Sequence, residues 1–196
     1  MKPLYKITAM LSLLVLSTNS FATTPTDQYI DPAKIVGFIA GDWNNDGGKD
    51  HAILVSPNNN FDEDVGLYLF LEDNRNTPQL ALFKPNLAWS GSMWGNIPSL
   101  ALTAGGSLQV LSQNQAIGRN RWSQILTIAY RNKAFVVAGY TYESRDTLDL
   151  SYKLDCDVNL LTGKGVKNKK PFKNKAQAIK LVDWTEKSIP KQCQEE

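Results

Sequence analysis

Apolar residues recur along this chain in short, mostly alternating runs, and clusters of turn residues separate the runs. A period of two is what strands require, because successive side chains point to opposite faces. The pattern predicts strands over residues 34–40 and 51–56, with a polar loop between them and a turn at Pro57-Asn58-Asn59-Asn60. Over residues 65–71, Val65, Leu67, Leu69 and Leu71 share one face while Tyr68 and Phe70 take the other. Apolar residues on both faces predict a strand inside its sheet. A strand over 79–84 is expected to stop at Pro85. Residues 85–98 break the alternation, and Trp89 and Trp94 fall in this loop, as a cover over the core or as a binding surface. Short strands over 99–103 and 107–112 flank Ala104-Gly105-Gly106.

The clearest hairpin follows. Trp122, Leu126, Ile128 and Tyr130 line one face of its first arm, and Phe135 and Val137 alternate with Val136, Ala138 and Tyr140 in its second. Asn132-Lys133 sits at the turn, where Asn tolerates positive φ. A last apolar stretch, 157–161, ends at Thr162-Gly163, and residues 176–184 are the one helix candidate. Nine or ten strands predict an all-β, mostly antiparallel fold with at most one short C-terminal helix. It is a sandwich or an open propeller-like meander; a closed propeller needs more four-stranded blades than this length supplies.

The start of the chain changes the picture. Lys2 and Lys6 precede an apolar run, 7–16, too short to span a bilayer, and Ser20-Phe21-Ala22 places small residues for cleavage after Ala22. Residues 1–22 therefore read as a signal peptide, 23–33 as a polar arm with Pro25 and Pro32, and 34–196 as a single domain. The expected location is periplasmic or secreted, with no transmembrane segment in the mature chain. Two of the 21 Lys and Arg residues leave with the leader, and the remaining 19 balance the 19 Asp and Glu. A nucleic-acid partner thus lacks electrostatic support. The charge is uneven: seven lysines and no acid lie within 164–180, a solvated tail or a patch for an anionic partner or membrane surface. Cys156 and Cys193, an even count in an oxidising compartment, predict a disulfide.

The strongest chemical signal is Asp42-Trp43-Asn44-Asn45-Asp46-Gly47-Gly48-Lys49-Asp50, with Asp, Asn, Asp and Asp at relative positions 1, 3, 5 and 9 and Gly at position 6. Short oxygen ligands at alternate residues wrap a chain around Ca²⁺, with a backbone carbonyl at position 7. The predicted metal set is Asp42, Asn44, Asp46, Gly48 and Asp50. Position 12 is Ile53, so the loop is not an EF-hand.

This strand-loop-strand segment, residues 35–56, resembles the calcium loops of FG-GAP and VCBS repeats, found in integrin-type propellers and many secreted bacterial proteins. The resemblance implies calcium on Asp42, Asn44, Asp46 and Asp50 with the Gly48 carbonyl. The chain departs from that pattern in having Ser56-Pro57 at the usual Gly-Ala-Pro turn and no second repeat. A looser likeness rests on Ala116-Ile117-Gly118-Arg119, Arg121-Trp122, the strand 126–131, Ala138-Gly139-Tyr140-Thr141-Tyr142 and residues 156–163. These look like a set of uncharacterised exported proteins of Gram-negative bacteria that also carry one aspartate loop. That likeness implies a periplasmic home and no activity.

Catalytic motifs are absent. His51 is the one histidine, and no Gly-x-Ser-x-Gly elbow, His-Glu-x-x-His, P-loop or Gly-x-Gly-x-x-Gly occurs. Asp62-Glu63-Asp64 and Asp146/Asp149 are carboxylate candidates by residue type alone. Arg119 and Arg121, with Trp89 and Trp94, are the candidate partner-binding residues. The chain reads as a calcium-binding β domain that works by contact with a protein or glycan. A periplasmic inhibitor or immunity-type protein is the alternative, and a carboxylate-dependent hydrolase comes after it.

Overall fold

The computed structural model describes residues 29–59, 61, 63–73 and 75–195; the expected leader and Asp62 lie outside them. The alternation read from the sequence becomes two antiparallel sheets. The first holds β1 (Ile35–Gly41), β2 (Asp50–Val55), β3 (Val65–Glu72) and β4 (Pro78–Ala88) in that order. The second runs in chain order through β5 (Ser99–Leu102), β6 (Leu108–Asn114), β7 (Asn120–Arg131), β8 (Ala134–Asp146), β9 (Lys153–Asn159), β10 (Lys164–Lys167) and β11 (Lys170–Lys173). A two-residue strand, β12 (Ile179–Lys180), returns to pair with Val136 and Val137 of β8. The fold is all-β, and among the described residues the only helical pieces are short 3-10 turns. None is long and apolar enough to cross a membrane.

One core joins the sheets. Leu54, Leu67 and Leu69 of the first and Leu108, Leu126 and Ile128 of the second are all closed to solvent and belong to one apolar cluster. As its two-sided pattern predicted, β3 is interior, paired with β2 and β4. The β7–β8 hairpin turns at Asn132 and Lys133, both at positive φ (50° and 60°).

Three expectations are corrected. Strand β4 does not stop at Pro85 but continues to Ala88. It is the edge of its sheet, where a missing N–H disrupts no ladder on the open side. Residues 176–184 form no helix. Their apolar positions Ile179, Leu181 and Trp184 serve β12 and a 3-10 turn, Leu181–Asp183. Here β12 satisfies backbone groups of β8 beyond the end of its pairing with β9, and Leu181 and Trp184 enter the core. The lysine-rich stretch is not a tail. It is the β10–β11 hairpin, turned at Asn168 and Lys169, and it ends the second sheet with Lys170 and Lys173 on the edge strand. Charged edges of that kind discourage pairing with a further chain.

Cys156 in β9 and Cys193 are joined in a disulfide, with Cα atoms 5.3 Å apart across 37 residues. Both are buried, and the bond fastens the C-terminal arm, residues 184–195, to the second sheet.

Candidate functional site

Two places collect the candidate residues. The first is the aspartate loop between β1 and β2. Trp43 turns inward, 5% exposed, and meets Phe135 edge to face with ring centres 6.2 Å apart, so the loop is nailed to the core at its second residue. Asp50 is fully buried. Its Oδ2 accepts from the N–H groups of Trp43 (2.8 Å) and Asn44 (3.4 Å), and its Oδ1 accepts from Glu72 N–H of β3 (3.1 Å). Asp42 and Asn44 both accept from Asp46 N–H, at 3.2 and 3.0 Å, and Asp42 also accepts from Gly47 N–H at 3.1 Å. Asp46 accepts from Gly48 N–H at 2.8 Å and from the Asn44 amide at 2.6 Å. Gly47 holds φ 87°, the left-handed turn that returns the chain.

Glu72, which no sequence pattern singles out, joins this loop from β3. Its carboxylate accepts from Lys49 N–H, and a side chain at Gly48 would meet both Glu72 and Asp46, at 3.0 and 2.9 Å. The position is marked only by a long-range pairing, His51 opposite Phe70, that no local pattern announces. Among the described residues, no three or more His, Cys, Asp or Glu side chains stand together as a metal cluster. The loop's oxygens face backbone N–H groups, in the manner of Asx turns.

The second place is a groove of about 1200 Å³. Strands β7 and β8 run 12 and 13 residues against 6 to 8 for β1, β2 and β3. On their inner face, Leu126 and Ile128 pack into the shared core, while Trp122, Gln124 and Tyr142 line the groove. The end of β4 and the C-terminal arm supply the walls. The groove holds a lane of five aromatic rings. Trp89 lies 5.4 Å from Trp122, Trp122 6.4 Å from Tyr142, Tyr142 6.2 Å from Tyr140, and Tyr140 6.0 Å from Trp184, measured between ring centres. Tyr140 and Trp184 are buried at its base, whereas Trp89, Trp122 and Tyr142 keep part of their surface open.

Polar groups punctuate the lane. Tyr140 Oη donates to Gln124 at 3.0 Å and Tyr142 Oη to Glu195 at 2.8 Å. Burial pushes both phenols well above their usual range, with the nearby Glu195 carboxylate acting in the same direction. Burial also raises Glu195, but hydrogen bonds from Asn120 and Tyr142 outweigh it and hold the carboxyl below its usual value. Ser112 stands on the groove wall, 4% exposed. Asp64 and Glu186 stand on the same groove; burial, then the Glu186 charge, raises the Asp64 carboxyl.

The remaining candidates fall elsewhere. Trp94 is 58% exposed on a 3-10 turn outside the groove, so the two loop tryptophans divide between groove and surface. Arg119 pairs with Asp146 (Nε to Oδ2, 2.7 Å), and that hydrogen bond holds Asp146 down to about 2. Arg121 lies opposite Arg145 in the sheet, with Nη1 buried and without a hydrogen-bond partner among the described residues. His51 packs its ring on Phe38, centres 5.4 Å apart. No family model, no curated protein and no solved structure matches the chain.

Proposed function

We propose that this is an exported binding module that takes a saccharide chain in the aromatic groove. The lane from Trp89 through Trp122 to Tyr142 carries the reading. Pyranose rings have apolar C–H faces that lie on aromatic faces, and hydroxyl rims that need hydrogen-bond partners. The groove supplies both kinds of surface: open aromatic faces, and the side chains of Ser112, Gln124 and Glu195. Pockets of this composition, mostly apolar with a few placed polar groups, are what ligand sites require. The buried disulfide supports a periplasmic or secreted location. Titrating chito-, cello- and peptidoglycan-derived oligosaccharides against intrinsic tryptophan fluorescence tests the reading. Saturable binding that Trp122→Ala weakens about tenfold is expected; no response to any of them at about 1 mM would count against it.

The aspartate loop is proposed as a calcium site that stiffens the β1–β2 connection. Its donor set of carboxylate and amide oxygens suits a hard cation, and Asp42 and Asn44 already converge on one N–H group. Asp42, Asn44 and Asp46 would hold the ion, with Gly48 and Asp50 as the further members expected from their spacing. The ion would neutralise the loop's acids and take no part in chemistry.

Asp64 and Glu186 on the same groove favour a second reading, hydrolysis of the bound saccharide. New reducing ends after incubation separate turnover from binding.

A further inference from the structure

At the end of the second sheet where β6, β8 and the loop before β5 meet, three loops raise large apolar side chains into solvent. The 3-10 turn Ser92–Trp94 carries Met93 (80% exposed) and Trp94, with Ile97 just beyond it. The loop from β6 to β7 carries Ile117. The loop from β8 to β9 carries Leu148 (76%) and Leu150 (87%). The loops are tied to one another. Asn96 Oδ1 accepts from Gln115 N–H at 2.9 Å, Arg145 donates to the Gln115 side chain at 2.9 Å, and Thr147 N–H donates to Arg119 O at 2.9 Å. Gly91 and Asn96 exchange backbone hydrogen bonds at 2.9 and 3.2 Å, closing the base of the first loop. The apolar side chains therefore stand on a braced tip.

Lysines flank this tip on one side. Lys153 stands at the root of the loop from β8 to β9. The β10–β11 turn is bound to Asp155, two residues into β9, through Asn168 N–H to Asp155 O (2.7 Å) and Asp155 N–H to Asn168 Oδ1 (2.8 Å). That places the exposed Lys169 and Lys170 beside the same end of the sheet. Asp146 is paired with Arg119, so the excess positive charge comes from Lys153, Lys169 and Lys170, opposed by the Asp149 carboxylate, which accepts from Ser151.

We infer that the tip formed by Met93, Trp94, Ile97, Ile117, Leu148 and Leu150 docks into the interfacial layer of an anionic lipid bilayer. These apolar side chains come from three separate loops. An acyl boundary accepts them one by one. Tryptophan at headgroup depth and a basic flank are the matching chemistry. Lysines near a negatively charged leaflet add attraction that salt screens. The inference is independent of what the groove binds.

The test uses protein purified from the periplasm, with its N-terminus read by mass spectrometry so that no leader remains. Vesicles of phosphatidylethanolamine with phosphatidylglycerol are compared with vesicles of phosphatidylcholine in co-sedimentation. The anionic vesicles are expected to carry down the protein. The double variant Trp94→Ser/Leu150→Ser should lose about tenfold in partitioning, and Lys169→Ser/Lys170→Ser should lose severalfold and with it the salt dependence. Brominated acyl chains should quench wild-type tryptophan emission and spare the double variant. Leu150→Ser alone, fully exposed in its loop, keeps the test valid if the double variant misfolds. Equal sedimentation of wild type and tip variants overturns the inference. Dimerisation without lipid that the same variants abolish also overturns it, in favour of a second copy.

Discussion

Tyr142 Oη and Glu195 Oε1 lie 2.8 Å apart across 53 residues of sequence, so the C-terminal arm is pinned to the base of the aromatic groove. Asn120 donates to the same carboxylate at 2.9 and 3.1 Å. Tyr142→Phe should cost about 1 kcal/mol, because it removes one partly exposed hydrogen bond to a charged acceptor. The effect should depend on pH. The folded-state pKa of Glu195 is lowered, so its contribution is present above the unfolded value and is lost as pH falls through the folded one. Thermal melts between neutral and strongly acid pH should show the difference between wild type and Tyr142→Phe closing on acidification.

Asp64 carries the opposite sign. Its folded pKa is raised, by burial and then by Glu186, so the folded protein binds more protons than the unfolded chain between the two values. Stability therefore falls as pH rises through that window. Asp64→Asn should melt higher than wild type at neutral pH, and the two should converge below the unfolded carboxylate range. A lower melting temperature for Asp64→Asn at neutral pH would contradict the placement of this side chain.

Two aspartates of the same loop should respond differently. With a dissociation constant near 0.1 mM and about 1 mM Ca²⁺, binding to the folded form alone stabilises by roughly 1.4 kcal/mol. Asp46→Ala should remove that dependence and leave the melt in chelator nearly unchanged. Asp50→Ala removes a fully buried carboxylate and strands the buried N–H of Trp43 and the half-buried N–H groups of Asn44 and Glu72. Its cost should be about 3 kcal/mol or more, with or without the ion. If wild type melts alike in EDTA and in millimolar Ca²⁺, the loop is an Asx-turn structure without a metal.

Removing the Cys156–Cys193 bond should lower stability by about 4 kcal/mol on the chain-entropy model for a closed loop of this length. Denaturant unfolding of Cys156→Ser/Cys193→Ser against wild type measures it. Because the arm forms a groove wall, saccharide affinity should fall in the same variant more than the change in global stability explains.

Trp122→Ala should reduce saccharide affinity about tenfold, near 1.4 kcal/mol, through loss of one aromatic face. Trp94→Ala should leave it unchanged, since Trp94 lies outside the groove. Isothermal titration with whichever oligosaccharide binds wild type distinguishes the two.

Local pattern carried the strands. Val65 to Leu71 showed both apolar faces of an interior strand, and Asn132-Lys133 named its own turn. The groove was not legible, because its parts meet only in space. Trp89 reaches Trp122 from a loop, Trp184 arrives on the C-terminal arm, and Glu195 closes over Tyr142 from near the chain's end. The alternation does place Trp122 and Tyr140 on strands, but it does not say where the first sheet ceases to cover them. Residues 176–184 depart from the expected helix for a related reason. Spacings of two and three among Ile179, Leu181 and Trp184 suit a helix as well as a strand that bends into a turn. Only the uncovered part of β8 decides between them.

The disulfide also sets how the molecule bears mechanical load. A pull on the C-terminal arm passes through Cys193 into Cys156, in β9, which is hydrogen-bonded to β8 on one side and β10 on the other. The 37-residue span between the two cysteines, including the lysine hairpin, is bypassed and stays slack. Tension there breaks the Glu195 contacts and then loads β9 at Cys156, between two hydrogen-bonded neighbours, whereas without the bond the arm, β12 and the hairpin would peel away one after another. A tether attached at this end would therefore hold the protein by one of its inner strands and leave the basic hairpin unstretched.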